Sequence, residues 1–152
     1  IHFQKVQGHI NEKLLVVYAF FEIEIFLSMM EDIVKVKLEN YNLEKIKKDI
    51  LIVISSENES KEGLVDKLKK KYSSIIEKLN NLYQTHLKVL DKPEKIKLFI
   101  QILNNLKLPG LIKENEKLKK KITYSTDKNE ISKMIIEYNL LIEEINLIKK
   151  KH

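Results

Sequence analysis

The sequence predicts an all-α protein, an antiparallel four-helix bundle of long amphipathic helices. Only three Gly and two Pro occur in 152 residues, so turn-forming residues are few. Apolar residues, 43% of the chain, recur at spacings of three and four, which is the period of one helix face. This length can bury a core without disulfides or metals, and we therefore expect one domain over residues 1–152.

The first predicted helical rod covers roughly residues 3–40 and contains the apolar run LLVVYAFFEIEIFLSMM at positions 14–30. The alternation in FEIEIF would also fit a strand, but no turn or partner strand follows it, so we predict a helix. Each acidic residue near the centre of a membrane span costs about 2.5–3.5 kcal/mol, and this run holds two. We therefore expect a central core helix and not an integral membrane span.

The two acidic residues of this run are Glu22 and Glu24. On a helix they lie about 200° apart, so they cannot share one narrow solvent-exposed stripe. Either one carboxylate faces water while the other meets a Lys or Tyr of a neighbouring rod, or at least one is held inside the core. In the second case desolvation weakens the bundle and lets it open. Both residues are therefore candidate polar-core or switch residues.

Residues 43–54 keep helical spacing and predict a shorter helix. The polar residues 55–63 predict a loop. Within this loop, Asn58-Glu59-Ser60 matches a glycosylation sequon, a triplet that often occurs by chance.

A second long rod is predicted from Leu64 to Val89, where apolar residues advance by steps of three and four. His86 lies on this stripe. We interpret it as a packed or boundary residue, with a pH-sensitive role as the alternative.

The third rod begins near Ile96 and is predicted to break at Pro109-Gly110, because Pro lacks the amide that a helical hydrogen bond needs. The fourth rod starts at Asp127 and Glu130, which have capping-box spacing, and runs to the C-terminal lysines. On the second and fourth amphipathic rods we expect nine residues to be largely buried: Leu68, Tyr72, Ile75, Leu79, Leu82, Ile135, Tyr138, Ile142 and Ile145.

No pattern of catalytic or metal-binding residues emerges. The chain has no Cys, which excludes disulfides, thiol nucleophiles and zinc fingers. It also has no Glu-x-x-His pair for a di-iron site, no nucleophile elbow and no Gly-rich phosphate loop. We predict a protein that is not an enzyme and that needs no cofactor or metal.

The formal charge of +6 favours anionic partners such as a membrane surface, a host-cell surface or an acidic protein. All 28 basic residues are Lys, and the absence of Arg disfavours nucleic acid, whose readers exploit the bidentate guanidinium. The candidate anionic-surface contacts are the C-terminal Lys149, Lys150 and Lys151. Lysine triplets also occur as solvated helix faces that carry no function.

A helical bundle without Arg or Cys, rich in Lys, Asn and Ile, resembles the sporozoite micronemal proteins that malaria parasites need for cell traversal. The stretches that carry the resemblance are LLVVYAFFEIEIFLSMM, EKLNNLYQTH, ILNNLKLPG and the Lys-rich ends. No motif transfers residue by residue. The resemblance implies a secreted, non-enzymatic protein that helps a motile parasite stage cross host cells by acting on membranes.

Two functions from different classes follow. The first is a secreted helical-bundle protein that acts in host-cell traversal through membrane or host-surface interaction and conformational change. The alternative is a structural or adhesion module, either a coiled-coil-like scaffold or a surface antigen, that binds a protein partner. Because the chain begins at Ile1 and not at Met, we expect a processed or engineered fragment with any signal peptide upstream.

Overall fold

The computed structural model describes residues 2–55 and 60–150, without the side chains of residues 2–9, 61 and 62. Within these residues all regular secondary structure is helical, which confirms the predicted all-α class. The helices are α1 (His2–Phe21), α2 (Ile23–Ser28), α3 (Met30–Lys35), α4 (Tyr41–Ser55), α5 (Lys61–Lys71), α6 (Ser73–His86), α7 (Lys92–Tyr124) and α8 (Lys128–Lys150).

The chain forms two compact units, Ile1–Leu106 and Lys107–His152, which divide within α7. The first unit contains α1 to α6 and the N-terminal part of α7. The second contains the rest of α7 and α8. The single-domain organisation and the antiparallel arrangement of four rods stay predictions.

α1 forms the centre of the first unit. Residues 14–20 are all buried, and Leu15, Val16, Val17 and Tyr18 have no exposed surface. α4 and α6 both pack against α1, and the ring of Phe99 from α7 lies 4.4 Å from that of Tyr18, centroid to centroid. A helix that is apolar nearly all round has to be covered on every side, and here it is.

The prediction of one continuous helix over residues 3–40 was wrong. The backbone leaves helical geometry at Glu22 (φ −137°, ψ 57°) and at Met29 (φ −123°, ψ 28°), and α3 ends at Lys35. The Glu22 carbonyl still accepts a hydrogen bond from the amide of Phe26 (3.1 Å), so the first interruption is a kink. Phe26 is fully buried after the kink, whereas Glu22 is only half-buried. The kink thus lets the Phe26 side chain enter the core while the Glu22 carboxylate stays near the surface.

The helix predicted over residues 43–54 is confirmed as α4. Residues 56–59, including Asn58 of the sequon, lie outside the described residues. α5 begins at Lys61, and the hydroxyl of Ser60 caps it by accepting a hydrogen bond from the amide of Gly63 (3.2 Å).

The long rod predicted from Leu64 to Val89 is interrupted at Tyr72 (φ −107°, ψ 29°), between α5 and α6. Three leucines of the stripe, Leu64, Leu68 and Leu79, are buried. Its other apolar residues up to Leu82 are half-buried: Tyr72, Ile75 and Leu82. At its end His86 and Val89 are exposed, so the interpretation of His86 as a packed residue was wrong. In the last turn of α6, Gln84, Thr85 and His86 are exposed, while Tyr83 is half-buried.

The predicted break at Pro109-Gly110 was also wrong, since α7 is one helix from Lys92 to Tyr124 with Pro109 inside it. Proline removes one amide and leaves the carbonyl of the residue four positions earlier without its helical partner. Pro109 and Gly110 lie on an exposed face of α7. Water at such a face can satisfy the freed carbonyl, so proline bends a helix without having to end it.

In the second unit, the C-terminal part of α7 and α8 are joined by residues 125–127 and run back along each other. The side-chain amide of Asn115 donates to the carbonyl of Tyr138 (3.4 Å), and the carboxylate of Asp127 caps α8 through the amide of Asn129 (2.9 Å). Ile145 is buried, as predicted, while Tyr138 and Ile142 are half-buried. Ile135 is 42% exposed, which contradicts the expected burial. α8 therefore buries one side, with Ile145 and Ile148, and leaves other sides exposed.

A Gly110→Ala substitution tests the continuity of α7. No atom lies within 4 Å of a Cβ placed at Gly110, and no described glycine has a positive φ. Alanine should therefore raise the free energy of unfolding by about 0.5–1 kcal/mol, measured by urea denaturation. A loss of stability would indicate a turn at this position.

Candidate functional sites

Glu22 lies at the kink between α1 and α2 and is bonded to two residues from other helices. Its carboxylate accepts a hydrogen bond from the ammonium of Lys95 on α7 (2.5 Å) and from the hydroxyl of Tyr83 on α6 (3.4 Å). Glu24 is exposed. This is the first arrangement that the sequence left open, with one carboxylate in water and the other paired with Lys and Tyr. The bond to Glu22 holds the pKa of Lys95 above its usual value.

Aromatic rings surround this pair. The rings of Phe21 and Tyr83 stack with centroids 5.0 Å apart, and the ammonium of Lys69 from α5 lies 4.9 Å from the centre of the Phe21 ring. One turn earlier in α1, the hydroxyl of Tyr18 donates to the backbone carbonyl of Lys95 (2.6 Å). The end of α1 is thus attached to α5, α6 and α7.

A shallow cleft of about 400 Å³ opens beside the kink. Its charged lining consists of Glu22 and Glu24 from the kink and of Lys92 and Lys95 from the first turns of α7. The two carboxylates and two ammonium groups can form ion pairs with each other, and a group that loses its partner can pair with another. Within the described ranges, no group of three or more His, Asp or Glu side chains is placed to hold a metal ion.

A second polar cluster, which sequence reasoning missed, holds the connection between α3 and α4. Glu12 on α1 is 4% exposed, and its two carboxylate oxygens accept hydrogen bonds from the amides of Glu39 (3.0 Å) and Asn40 (2.9 Å). From α4, Glu44 accepts from the amide of Leu38 (3.0 Å). In each bond a backbone amide donates to a buried carboxylate.

Lys47 completes the cluster. Its ammonium donates to the carbonyl of Val36 and forms an ion pair with Glu44 (2.6 Å). Among the described residues no buried side-chain nitrogen or oxygen lacks a hydrogen-bond partner. The signal in the sequence was a charged pair, Glu44 and Lys47, three residues apart and interleaved with Leu43, Ile46 and Ile50. It could have been read as a buried polar contact.

A third cluster joins α4 to the interruption at Tyr72. Asp49 accepts hydrogen bonds from the ammonium of Lys71 (2.6 Å) and from the hydroxyl of Tyr72 (2.5 Å). The bond from Lys71, followed by that from Tyr72, lowers the pKa of Asp49. Desolvation and, next, the hydrogen bond to Asp49 raise the pKa of Tyr72 to about 12.

The remaining predicted site residues are His86 and the C-terminal lysines. His86 is exposed in the last turn of α6, and Lys149 and Lys150 are exposed at the end of α8. Lys151 lies outside the described residues. Of the predicted candidates, Glu24 lines the cleft together with Glu22, whereas His86 is not part of its lining.

α7 carries a basic face that the sequence reasoning also missed. Lys113, Lys117, Lys120 and Tyr124 follow one another at spacings of four, three and four, so they lie on one side of the helix. All four are exposed, Tyr124 to 83%. From the sequence we expected a helix break at Pro109 and considered the lysines as consecutive triplets. We therefore did not recognise this periodicity. We call these four residues the basic face of α7.

Neither the family models, the curated proteins nor the solved structures with which the chain was compared gave a match. Among the described residues, no helix combines the length and apolar character that crossing a membrane requires.

Replacing Glu12 by Ala should lower the free energy of unfolding by about 2–4 kcal/mol, because it leaves two partly buried backbone amides without their acceptors. The matched control is Glu39→Ala, at an exposed side chain in the same connection, with an expected effect within about 0.5 kcal/mol. Urea denaturation of both variants measures the difference. Equal effects would contradict the assigned role of Glu12.

Alkaline pH should destabilise the protein through Tyr72. Because its pKa rises from 10.0 to about 12 on folding, the stabilisation is fully present below pH 10 and is lost as the pH rises towards 12. Tyr72→Phe should lose about 1 kcal/mol at pH 8, through the missing bond to Asp49, and should then fall less steeply than the wild type above pH 10. Tyr124→Phe, at an exposed tyrosine, is the control. Parallel pH profiles for all three proteins would refute this contribution.

Proposed function

We propose that this chain is a non-enzymatic helical protein that acts at an anionic membrane or host-cell surface and changes conformation there. The observation that carries the proposal is the basic face of α7, defined by Lys113, Lys117, Lys120 and Tyr124. Three ammonium groups and an exposed phenol on one side of a helix suit the headgroup region of a bilayer. Each lysine close to an anionic surface contributes about 1 kcal/mol, and tyrosine favours the interface.

The charge distribution supports the same partner class. Residues 107–152 contain eleven lysines and seven acidic residues, so more than half of the net charge of +6 belongs to this segment. Glu114 and Glu116 flank the basic face and reduce its potential without interrupting the row of lysines. A lysine row without arginine suits a charged surface better than the directional recognition of bases or phosphates.

The conformational part of the proposal concerns the first unit. Residues 14–20 of α1 are all buried apolar residues, and exposing them to water would cost much free energy. The apolar interior of a membrane would offset that penalty. The pair between Glu22 and Lys95 joins the end of α1 to α7, so its loss is the step that we assign to the start of opening.

Secretion and a role in host-cell traversal rest on the compositional resemblance to the sporozoite micronemal proteins. The second candidate function is a structural or adhesion module with a protein partner. One observation favours it: Ile136, Leu140 and Leu147 on α8 are 63%, 59% and 61% exposed. Membrane association distinguishes the two functions.

The test of membrane binding is sedimentation with vesicles of phosphatidylserine and phosphatidylcholine, compared with phosphatidylcholine alone. We expect binding to the anionic vesicles only, weakened about tenfold or more when Lys113, Lys117 and Lys120 are all replaced by Gln. The control replaces Lys78, Lys88 and Lys97, which are exposed lysines of the first unit, and removes the same charge. Equal weakening by both variants would assign binding to net charge alone, and no binding by the wild type would favour the protein-binding module.

The same vesicles, loaded with dye, test opening. Glu22→Gln should lower the free energy of unfolding by about 1 kcal/mol and increase dye release, since a charge-assisted hydrogen bond is lost. Glu24→Gln changes an exposed carboxylate and should alter neither quantity. If dye release is the same for both variants and for the wild type, α1 does not open in this way.

A further inference from the structure

The outward side of α8 carries a row of residues with heptad spacing. Steps of three and four connect Lys133, Ile136, Leu140, Glu143, Leu147 and Lys150, which we call the outer stripe. All six are exposed, and the three apolar side chains each expose more than half of their surface. The buried residues Ile145 and Ile148 lie on the opposite side of the helix. α8 is therefore apolar on two faces, of which the chain covers one.

An exposed apolar row with this period is typical of a surface that packs against another helix. The charged residues within the outer stripe restrict what that helix can be. Lys133 precedes the apolar pair Ile136 and Leu140 by one step, and Glu143 follows it by one step. A partner that covers the apolar pair therefore meets a positive charge at one end and a negative charge at the other.

A second copy of α8 in antiparallel orientation provides this pattern. With Ile136 of one copy opposite Leu140 of the other, Lys133 of each copy faces Glu143 of the other. The two-fold axis creates both pairs at once, because in a symmetric interface every contact occurs twice. We propose that the outer stripe of α8 binds the outer stripe of a second copy of this chain, antiparallel and in this register.

Other arrangements place like charges together. Parallel pairing in register sets Glu143 against Glu143 and Lys133 against Lys133. An antiparallel shift by one heptad sets Lys133 against Lys150 and leaves Leu140 against Glu143. Of these registers, only the one centred on Ile136 and Leu140 places Lys133 opposite Glu143 while pairing two apolar residues; in it Leu147 lies opposite Asn129 of the second copy.

The residues on the two edges of the outer stripe determine along which edge the helices pack more closely, and they affect the affinity of the dimer. Glu130, Glu137 and Glu144 follow one edge at intervals of seven, while Ser132, Asn139 and Asn146 follow the other. If the two helices pack closer along the uncharged edge, the carboxylates of the acidic edge remain exposed to solvent. In this register roughly 30 Å of helix overlaps, so the interface is at the small end of specific interfaces and we expect a dimer in the micromolar range.

The experiment is sedimentation equilibrium of the full chain from low to high micromolar concentration, without lipid. The wild type should convert from monomer to dimer. Lys133→Glu and Glu143→Lys should each weaken the dimer about tenfold or more, because each variant replaces two attractive pairs by two repulsive ones. The double variant restores opposite charges and should return to within about threefold of the wild type.

The control is Lys117→Glu, which reverses an exposed lysine on the basic face of α7 and should leave dimerisation unchanged. Circular dichroism shows that each variant stays folded, and all of these side chains are exposed. A wild type that remains monomeric overturns the proposal. A dimer that is insensitive to both single reversals places the interface elsewhere, and failure of the double variant to recover overturns the register. Membrane binding and dimerisation use different helix faces, so either proposal can fail without the other.

Discussion

Two oxygens of one buried carboxylate hold the point where the first unit reverses direction. Glu12 binds the amides of Glu39 and Asn40, and Glu44 and Lys47 bind the preceding backbone from the other side. Without these bonds, the amides exposed by the end of α3 would have to be hydrated, and α4 could not lie against α1. A charged side chain in this position is costly to bury, and its bonds to amides and an ammonium offset that cost.

The kinks in the first rod follow from the same need to separate charge from the core. Leu14 to Phe20 require cover on all sides, and the run that follows interleaves carboxylates with Ile and Phe. The kink at Glu22 lets Phe26 enter the core while the carboxylate reaches Lys95. The ion pair, the ring stack of Phe21 on Tyr83 and the bond from Tyr18 then fix the end of α1 to two other helices, α6 and α7.

The all-helical class and the burial of α1 were predictable, because apolar periodicity reports directly which faces need cover. The helix boundaries at Glu22 and Tyr72 were not, since each residue bonds to partners distant in sequence, and the boundary at Met29 was not predicted either. Pro109 misled for a local reason: its effect on a helix is set by whether water can reach the freed carbonyl. The alternatives for Glu22 and Glu24 followed from helix geometry, but the identity of Lys95 as a partner needed the tertiary structure.

The connection from Val36 to Asn40 is irregular in backbone conformation, yet it is bonded as densely as a core element. Surface loops usually absorb insertions and deletions because their backbone groups bond to water. Here an added or deleted residue would move an amide away from a fixed acceptor on α1 or α4. Sequence drift in this protein should therefore accumulate elsewhere, and this short connection should keep its length as strictly as a helix in the core.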